Sequence, residues 1–160
     1  MKSTSGISSV LVKPVSSDCN LACDYCFYYS KAEELYPETK THRMRSEVLR
    51  ELIAQFMSLA LDQVSFCWQG GEPTLAGLDF YREAVKYQSI FSIPGQIIQN
   101  SLQTNGTLID RRWAEFLSRH DFLVGVSLDG PPEMHDYYRK DRLGNPSYER
   151  VMRGIEWLKR

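Results

Sequence analysis

The chain of 160 residues carries 19 Lys and Arg against 20 Asp and Glu, a formal charge of −1. A balance that close leaves no electrostatic footprint for nucleic acid or an anionic membrane, and no apolar stretch is long enough to span a bilayer. The length supports one domain with a real core. Four cysteines without a secretory-type leader read as ligands or buried thiols of a cytoplasmic protein, not as disulfides.

The run from Ser9 to Val15 (SVLVKPV), stopped by Pro14, predicts a first strand. Asp18 to Ser30 (DCNLACDYCFYYS) follows, with Cys19, Cys23 and Cys26 separated by three and then two residues. Residues 30–45 are polar, carry Pro37 and read as a long connection. Ser46 offers an N-cap with Glu47 in the first turn. Val48, Leu49, Leu52, Ile53, Phe56, Leu59 and Ala60 then recur at helical spacing.

Gln63 to Gln69 (QVSFCWQ) predicts the second strand, broken by Gly70, Gly71 and Pro73. Leu78, Tyr81, Ala84, Val85 and Ile90 mark a second helix that ends near Pro94 and Gly95. Gln96 to Gln103 is a third strand, unusually polar for a buried one. Asn105-Gly106 turns the chain, Asp110 can cap, and Trp113, Phe116 and Leu117 mark the inner side of a third helix. Phe122 to Leu128 (FLVGVSL) is an apolar strand of the kind buried on both faces. A final loop leads to Ser147 as a cap and to a helix with Val151, Ile155, Leu158 and the core aromatic Trp157.

Strand, loop and helix thus recur four times, which predicts an α/β fold with a parallel sheet. Ligand sites in such sheets gather at the carboxyl ends of the strands. The cysteine loop, QGGEP (69–73), QTNG (103–106) and SLDG (127–130) all fall at that end. Four units do not close an eight-stranded barrel, so either an open sheet or the front part of a longer barrel is expected.

Three clustered thiolates repel one another unless a positive centre lies between them. The spacing therefore predicts a metal or cluster with one coordination position left open. An iron–sulfur cluster and a zinc ion with His42 as fourth ligand both satisfy it, and unmetallated thiols are the plain alternative. Gly70 and Gly71 allow close backbone approach and offer N–H groups to a carboxylate, while Glu72 can accept from an ammonium; an ordinary βα turn is the plain alternative. Gln69 and Gln103 end strands and can reach a cavity. Cys67 reads as a core thiol, with a minor cavity residue as the alternative. Ser127 and Asp129 suit a small molecule or simple turn chemistry. Arg139 alone reads as part of a solvated loop, and His120 and His135 as structural.

These residues resemble a known family. Cys19-x-x-x-Cys23-x-Tyr25-Cys26 looks like the signature of radical SAM enzymes, and Gly70-Gly71-Glu72-Pro73 after the second strand strengthens the match. The strings CNLACDYCFYYS, WQGGEPTLAGLDFY, SLQTNGTLID and FLVGVSLDGPPEMHD look like the anaerobic sulfatase-maturating enzymes, from about Val10 to the last residue. The resemblance implies a partial parallel (β/α) barrel with about four βα units present. It also implies a [4Fe-4S] cluster on Cys19, Cys23 and Cys26 whose open iron is chelated by S-adenosylmethionine. Reductive cleavage of that cofactor would give methionine and a 5′-deoxyadenosyl radical, which oxidises a sulfatase cysteine or serine to Cα-formylglycine.

By motif position, Tyr25, Gly71, Ser127 and Arg139 would bind S-adenosylmethionine, and Tyr28, Gln69 and Gln103 would face the peptide. A sulfatase polypeptide and a reducing partner such as flavodoxin or ferredoxin would be the partners. Full members carry six units, a further cysteine-rich domain with two more clusters and a catalytic aspartate. With Cys67 the one spare cysteine, residues 1–160 are expected to form the N-terminal portion of a radical SAM core domain, the aspartate lying beyond residue 160. Maturation by this chain alone is therefore not expected.

Overall fold

A computed structural model describes residues 8–28, 34, 38, 41–59 and 61–160. Much of the long connection, Pro37 included, and Ala60 lie outside the described residues.

In chain order the elements are β1 (Ser9–Val12), α1 (Ser46–Met57), β2 (Gln63–Trp68), a 3₁₀ turn (Pro73–Ala76), α2 (Leu78–Phe91), β3 (Ile97–Thr104), α3 (Arg111–Arg119), β4 (Phe122–Val126), α4 (Pro132–Tyr138) and α5 (Tyr148–Leu158). Among the described residues the strands form one sheet in the order β1-β2-β3-β4. Each pair is parallel, with Leu11, Cys67, Ser101 and Leu123 in register across it. This is the predicted run of βα units, arranged as part of a (β/α) barrel. No helix is long and apolar enough to cross a membrane among the described residues.

The helices cover one face of the sheet. Alternation along β2 sends Val64, Phe66 and Trp68 into that layer, where they are buried. They meet Leu49, Ile53 and Phe56 of α1, Tyr81 of α2 and Trp113 of α3 in one core. An aromatic relay runs through it: Phe56 to Phe66 at 5.1 Å, Trp68 to Tyr81 at 5.5 Å and Tyr81 to Trp113 at 5.3 Å between ring centroids. Each such pair adds about 0.5–1.5 kcal/mol beyond area burial, so the relay matters against a net stability of about 5–15 kcal/mol. The polarity of β3 has a cause here. Trp68 Nε1 donates to buried Asn100 Oδ1 at 2.8 Å, and the Gln88 and Asn100 amides pair both ways at 2.9 and 3.0 Å.

The other sheet face carries no helix, and this revises several expectations. Leu123 of β4 is 75% exposed, so that strand is not buried on both faces. Cys67 is half-buried on the uncovered face beside Ser9 Oγ at 3.5 Å, not a core thiol. Val48 and Ile90, on helices, and Leu59, just past the end of α1, are exposed. Asp110 caps α3 as expected, its Oδ1 accepting from Trp113 N at 2.9 Å. Arg45 holds the N-cap position of α1 instead of Ser46, whose hydroxyl meets Tyr87 Oη at 3.3 Å. The loop expected before Ser147 contains α4, started by Pro132 in its first turn, where a missing N–H costs nothing.

Candidate functional site

The cysteine loop is clamped from two sides at the carboxyl end of the sheet. From β2, the N–H groups of Gly71 and Glu72 donate to the carbonyls of Ser16 (2.8 Å) and Asp18 (2.7 Å). A Cβ on Gly71 would lie 2.1 Å from the Asp18 oxygen, so only glycine allows this approach. The Gly71 N–H is therefore consumed within the chain and does not face a ligand carboxylate, contrary to the expectation for that glycine. On the opposite side, Ala22 N donates to Lys140 O at 2.8 Å and Asp24 N to Tyr138 O at 3.0 Å. Arg142 Nε adds a bond to Cys19 O at 3.1 Å.

Glu72 is fully buried and does not await an ammonium. Its Oε1 accepts from Thr74 N at 3.0 Å, from the Thr74 hydroxyl and from the Thr104 hydroxyl at 2.7 Å, and its Oε2 accepts from Asn105 N at 2.7 Å. The side chain fastens the end of β2 to the end of β3. Burial pushes its pKa up, against these donors, which favour the carboxylate.

Above this floor lies a cavity of about 150 Å³. Cys19, Cys23, Cys26, Tyr25, Gln69, Gly71, Gln103, Ser127 and Arg139 all contribute to its wall. Nine of the ten residues to which the resemblance gives a role thus meet in one place. Tyr28 is the tenth. It is absent from that wall, meets Phe27 edge-on at 5.7 Å and lies under Lys13 Nζ at 4.8 Å.

All three cysteines are free thiols. Burial pushes the Cys19 pKa up to about 11 and raises that of Cys23, on which the nearby Arg139 charge acts in the opposite sense. Buried thiols of this kind ionise only against a strong positive centre, which is what iron or zinc supplies. His42 points elsewhere: its Nδ1 lies 2.8 Å from Asp18 Oδ1 and its backbone N donates to Asp18 Oδ2 at 2.7 Å. Among the described residues no three His, Cys, Asp or Glu side chains gather around a single-ion position. A cubane cluster takes one thiolate at each of three separate corners, and three thiols spread around one cavity fit it.

Beside the thiols, the Tyr25 hydroxyl donates to Asp129 Oδ2, and Arg139 Nε lies 2.9 Å from the same oxygen. The Arg139 contact is an ion pair. Its Nε–H is not aligned on that oxygen and stays a buried donor without a hydrogen bond. Burial alone would raise the Asp129 pKa, but Arg139 and Tyr25 hold it below the usual carboxylate range. Asp129 N donates to His135 Nδ1 at 3.3 Å, His135 Nε2 meets Ser147 Oγ at 3.0 Å, and that hydroxyl donates to Arg139 O at 2.6 Å. A buried histidine so joins the backbones of both ion-pair partners. At the end of β3, Gln103 Nε2 donates to Ser127 Oγ at 3.0 Å across Gly125, where a Cβ would lie 2.3 Å from Gln103 Oε1.

The sequence reading missed Asn105, treated only as a turn residue. Its Nδ2 lies 3.7 Å from Cys19 Sγ, and Leu21 N donates to the same sulfur at 3.4 Å. It also missed the Asp129 contacts and the His135–Ser147 link. No spacing rule signals these, because each depends on side chains brought together from separate βα units.

The family model described as the radical SAM superfamily matches residues 14–160. The chain is 47% identical over 152 residues to a serine-type anaerobic sulfatase-maturating enzyme of Bacteroides thetaiotaomicron, covering 94% of this chain and 36% of the relative. It is 46% identical over 153 residues to a cysteine-type enzyme of Clostridium perfringens, covering 95% and 41%. A solved structure described as native anSMEcpe with bound AdoMet superposes with a TM-score of 0.86 at 46% identity, covering 94% of this chain and 40% of the other. A second, with AdoMet and the Cp18Cys peptide bound, gives 0.85. The chain thus spans about two fifths of the length of these relatives or less. Both the matching model and the cavity at the strand ends lead to one conclusion: the chain belongs to the radical SAM superfamily.

Proposed function

We propose that residues 1–160 form part of a radical SAM core that holds a [4Fe-4S] cluster on Cys19, Cys23 and Cys26 and binds S-adenosylmethionine in the same cavity. The observation that carries this is the convergence of three free thiols with Gly71, Ser127 and Arg139 around one cavity at the strand ends. When bound, the cluster and cofactor supply a one-electron reductive cleavage that yields methionine and, after hydrogen abstraction from a substrate, 5′-deoxyadenosine. The protein's own part is binding, orientation and exclusion of water.

Each residue's proposed task follows from its surroundings. With its N–H committed to Ser16, Gly71 keeps its carbonyl oxygen for the methionyl amino group. The unaligned Nε–H of Arg139 suits the cofactor carboxylate, and Ser127 a ribose hydroxyl. Tyr25 is set by Asp129 to lie beside the adenine. Gln69, Gln103 and Tyr28 are proposed to face a peptide.

That peptide is proposed to be a sulfatase segment whose cysteine or serine is oxidised to Cα-formylglycine, with a low-potential donor of the flavodoxin or ferredoxin class supplying the electron, in the cytoplasm. The likeness to serine-type and cysteine-type maturating enzymes at 47% and 46% identity supports it. The test incubates anaerobically reconstituted protein with dithionite, S-adenosylmethionine and sulfatase peptides carrying Cys or Ser. Chromatographic appearance of 5′-deoxyadenosine supports the cofactor assignment. Stimulation of that product by a sulfatase peptide supports the sulfatase assignment, aldehyde formed by residues 1–160 alone runs against the expectation that maturation needs more of the protein, and no 5′-deoxyadenosine from a loaded cluster overturns the reading.

A further inference from the structure

We propose that Asn105 is a positioning residue that raises the reduction potential of the cluster by aiming its side-chain N–H at Cys19 Sγ. The inference rests on the cluster assignment above.

The orientation of this amide is fixed by its neighbours. Asn105 Oδ1 accepts from Thr107 N at 3.0 Å and from the Thr107 hydroxyl at 2.7 Å, while Nδ2 donates to Asn20 Oδ1 at 2.8 Å. A flipped amide would set NH₂ against two donors and oxygen against an acceptor, so Nδ2 is the atom facing the sulfur. Asn20 is itself oriented by its Nδ2 donating to Thr107 Oγ1 at 2.8 Å. The backbone N of Asn105 is pinned to Glu72 Oε2 at 2.7 Å, and the residue is only 7% exposed. Five groups from three strand ends thus point one N–H at one thiol, 3.7 Å away. Leu21 N adds a second donor to the same sulfur at 3.4 Å. Among the described residues, Cys23 Sγ has an N–H donor only in its own backbone and Cys26 Sγ has none, so Cys19 alone has a side-chain donor.

The consequence is electrostatic. Reduction adds one electron, from an external low-potential donor, to the cluster and its thiolates. The positive end of an N–H dipole at a ligand sulfur stabilises the more negative state and makes reduction easier. Losing one such donor is expected to lower the reduced fraction at fixed donor potential by about tenfold, a shift of about 59 mV for one electron.

The experiment is an EPR-monitored potentiometric titration of the full reconstituted chain without S-adenosylmethionine. Asn105→Ala and the isosteric Asn105→Asp, which keeps an oxygen for Thr107, should both titrate at a more negative potential with undiminished iron. Asn20→Ala removes one of the groups that orient Asn105 but leaves Nδ2 and its Thr107 anchor, so its potential should fall by less than in Asn105→Ala. An unshifted potential in iron-replete Asn105→Asp, or an equal negative shift in Asn20→Ala, overturns the inference. Wild-type protein labelled with ¹⁵N-asparagine gives a check that needs no variant. A ¹⁵N coupling to the reduced cluster supports the contact, and its absence overturns it. Failure of the wild type to assemble a cluster overturns the functional reading itself, whereas a cluster indifferent to Asn105 overturns only this inference.

Discussion

Glu72, at the end of the first glycine turn, accepts the backbone N–H of Asn105 at 2.7 Å, across 33 residues of chain. The same carboxylate holds Thr74 and the Thr104 hydroxyl, so one fully buried side chain joins the turns that follow β2 and β3. Glu72→Gln sets an NH₂ group against N–H and O–H donors and leaves at least one of them unmet. A buried donor without its acceptor costs about 1–3 kcal/mol. Urea unfolding should show a loss of that size, and an unchanged midpoint would contradict it.

Two glycines at the site should respond very unequally to the same methyl group. At Gly71 an added Cβ meets backbone, 2.1 Å from the Asp18 oxygen and 2.6 Å from that of Ser17, and neither can swing aside. Gly71→Ala should cost at least about 1–3 kcal/mol, as overpacking does, and abolish iron loading. At Gly125 the nearest atom is the end of the flexible Gln103 side chain, at 2.3 Å. Gly125→Ala should stay within about 1 kcal/mol of wild type while pushing Gln103 off Ser127. Measuring stability and iron content of both variants side by side checks the contrast.

Burial pushes the Cys19 thiol up to about 11, so in metal-free protein it is protonated throughout the neutral range and ionises only as pH approaches that value. Iodoacetamide should modify Cys19 far more slowly than a free thiol at pH 8, with the rate climbing towards pH 11. Peptide mass spectrometry reads this directly. Cluster loading must displace that proton, so iron uptake should also improve as pH rises. Alkylation of Cys19 at the free-thiol rate at pH 8 would refute the burial argument.

Asp129 holds both the Tyr25 hydroxyl and the Arg139 guanidinium. Its pKa is lowered in the fold, so its contribution is present above the ordinary carboxylate range and lost as pH falls through the folded value. Asp129→Asn removes the charge and keeps the shape. Under the proposed function it should weaken S-adenosylmethionine binding by about tenfold, the scale of a lost charge-assisted hydrogen bond. Tyr25→Phe should be non-additive with it, since both act on one oxygen. Calorimetry on the reconstituted protein supplies the affinities.

The alternation of strand and helix was legible because the apolar periods of β2, α2 and α3 are clean. The nine cavity residues were found through strand ends and family motifs. What could not be read was which face of the sheet carries helices. Cys67 and Leu123 look like core in a one-dimensional pattern, yet they lie on the uncovered face. The seven-residue α4 escaped because its one buried side chain is His135, which leaves no apolar stripe. The GGEP turn reads either as a ligand loop or as an ordinary βα turn, and the N–H groups of Gly71 and Glu72 and the Glu72 carboxylate are spent on the protein itself. Asn105 was legible only as a turn former, since its contact with Cys19 spans 86 residues.

Cys19, Cys23 and Cys26 are proposed to hold a cluster with an open iron for S-adenosylmethionine. Anaerobic reconstitution with iron and sulfide, followed by EPR of the reduced protein before and after adding S-adenosylmethionine, tests it most directly. About four irons per chain and a reduced-cluster signal that changes on adding the cofactor are expected. Cys19→Ala, Cys23→Ala and Cys26→Ala should each lose it, and Cys67→Ala should retain it. Zinc bound in place of iron, or a cluster signal indifferent to S-adenosylmethionine, would contradict the account.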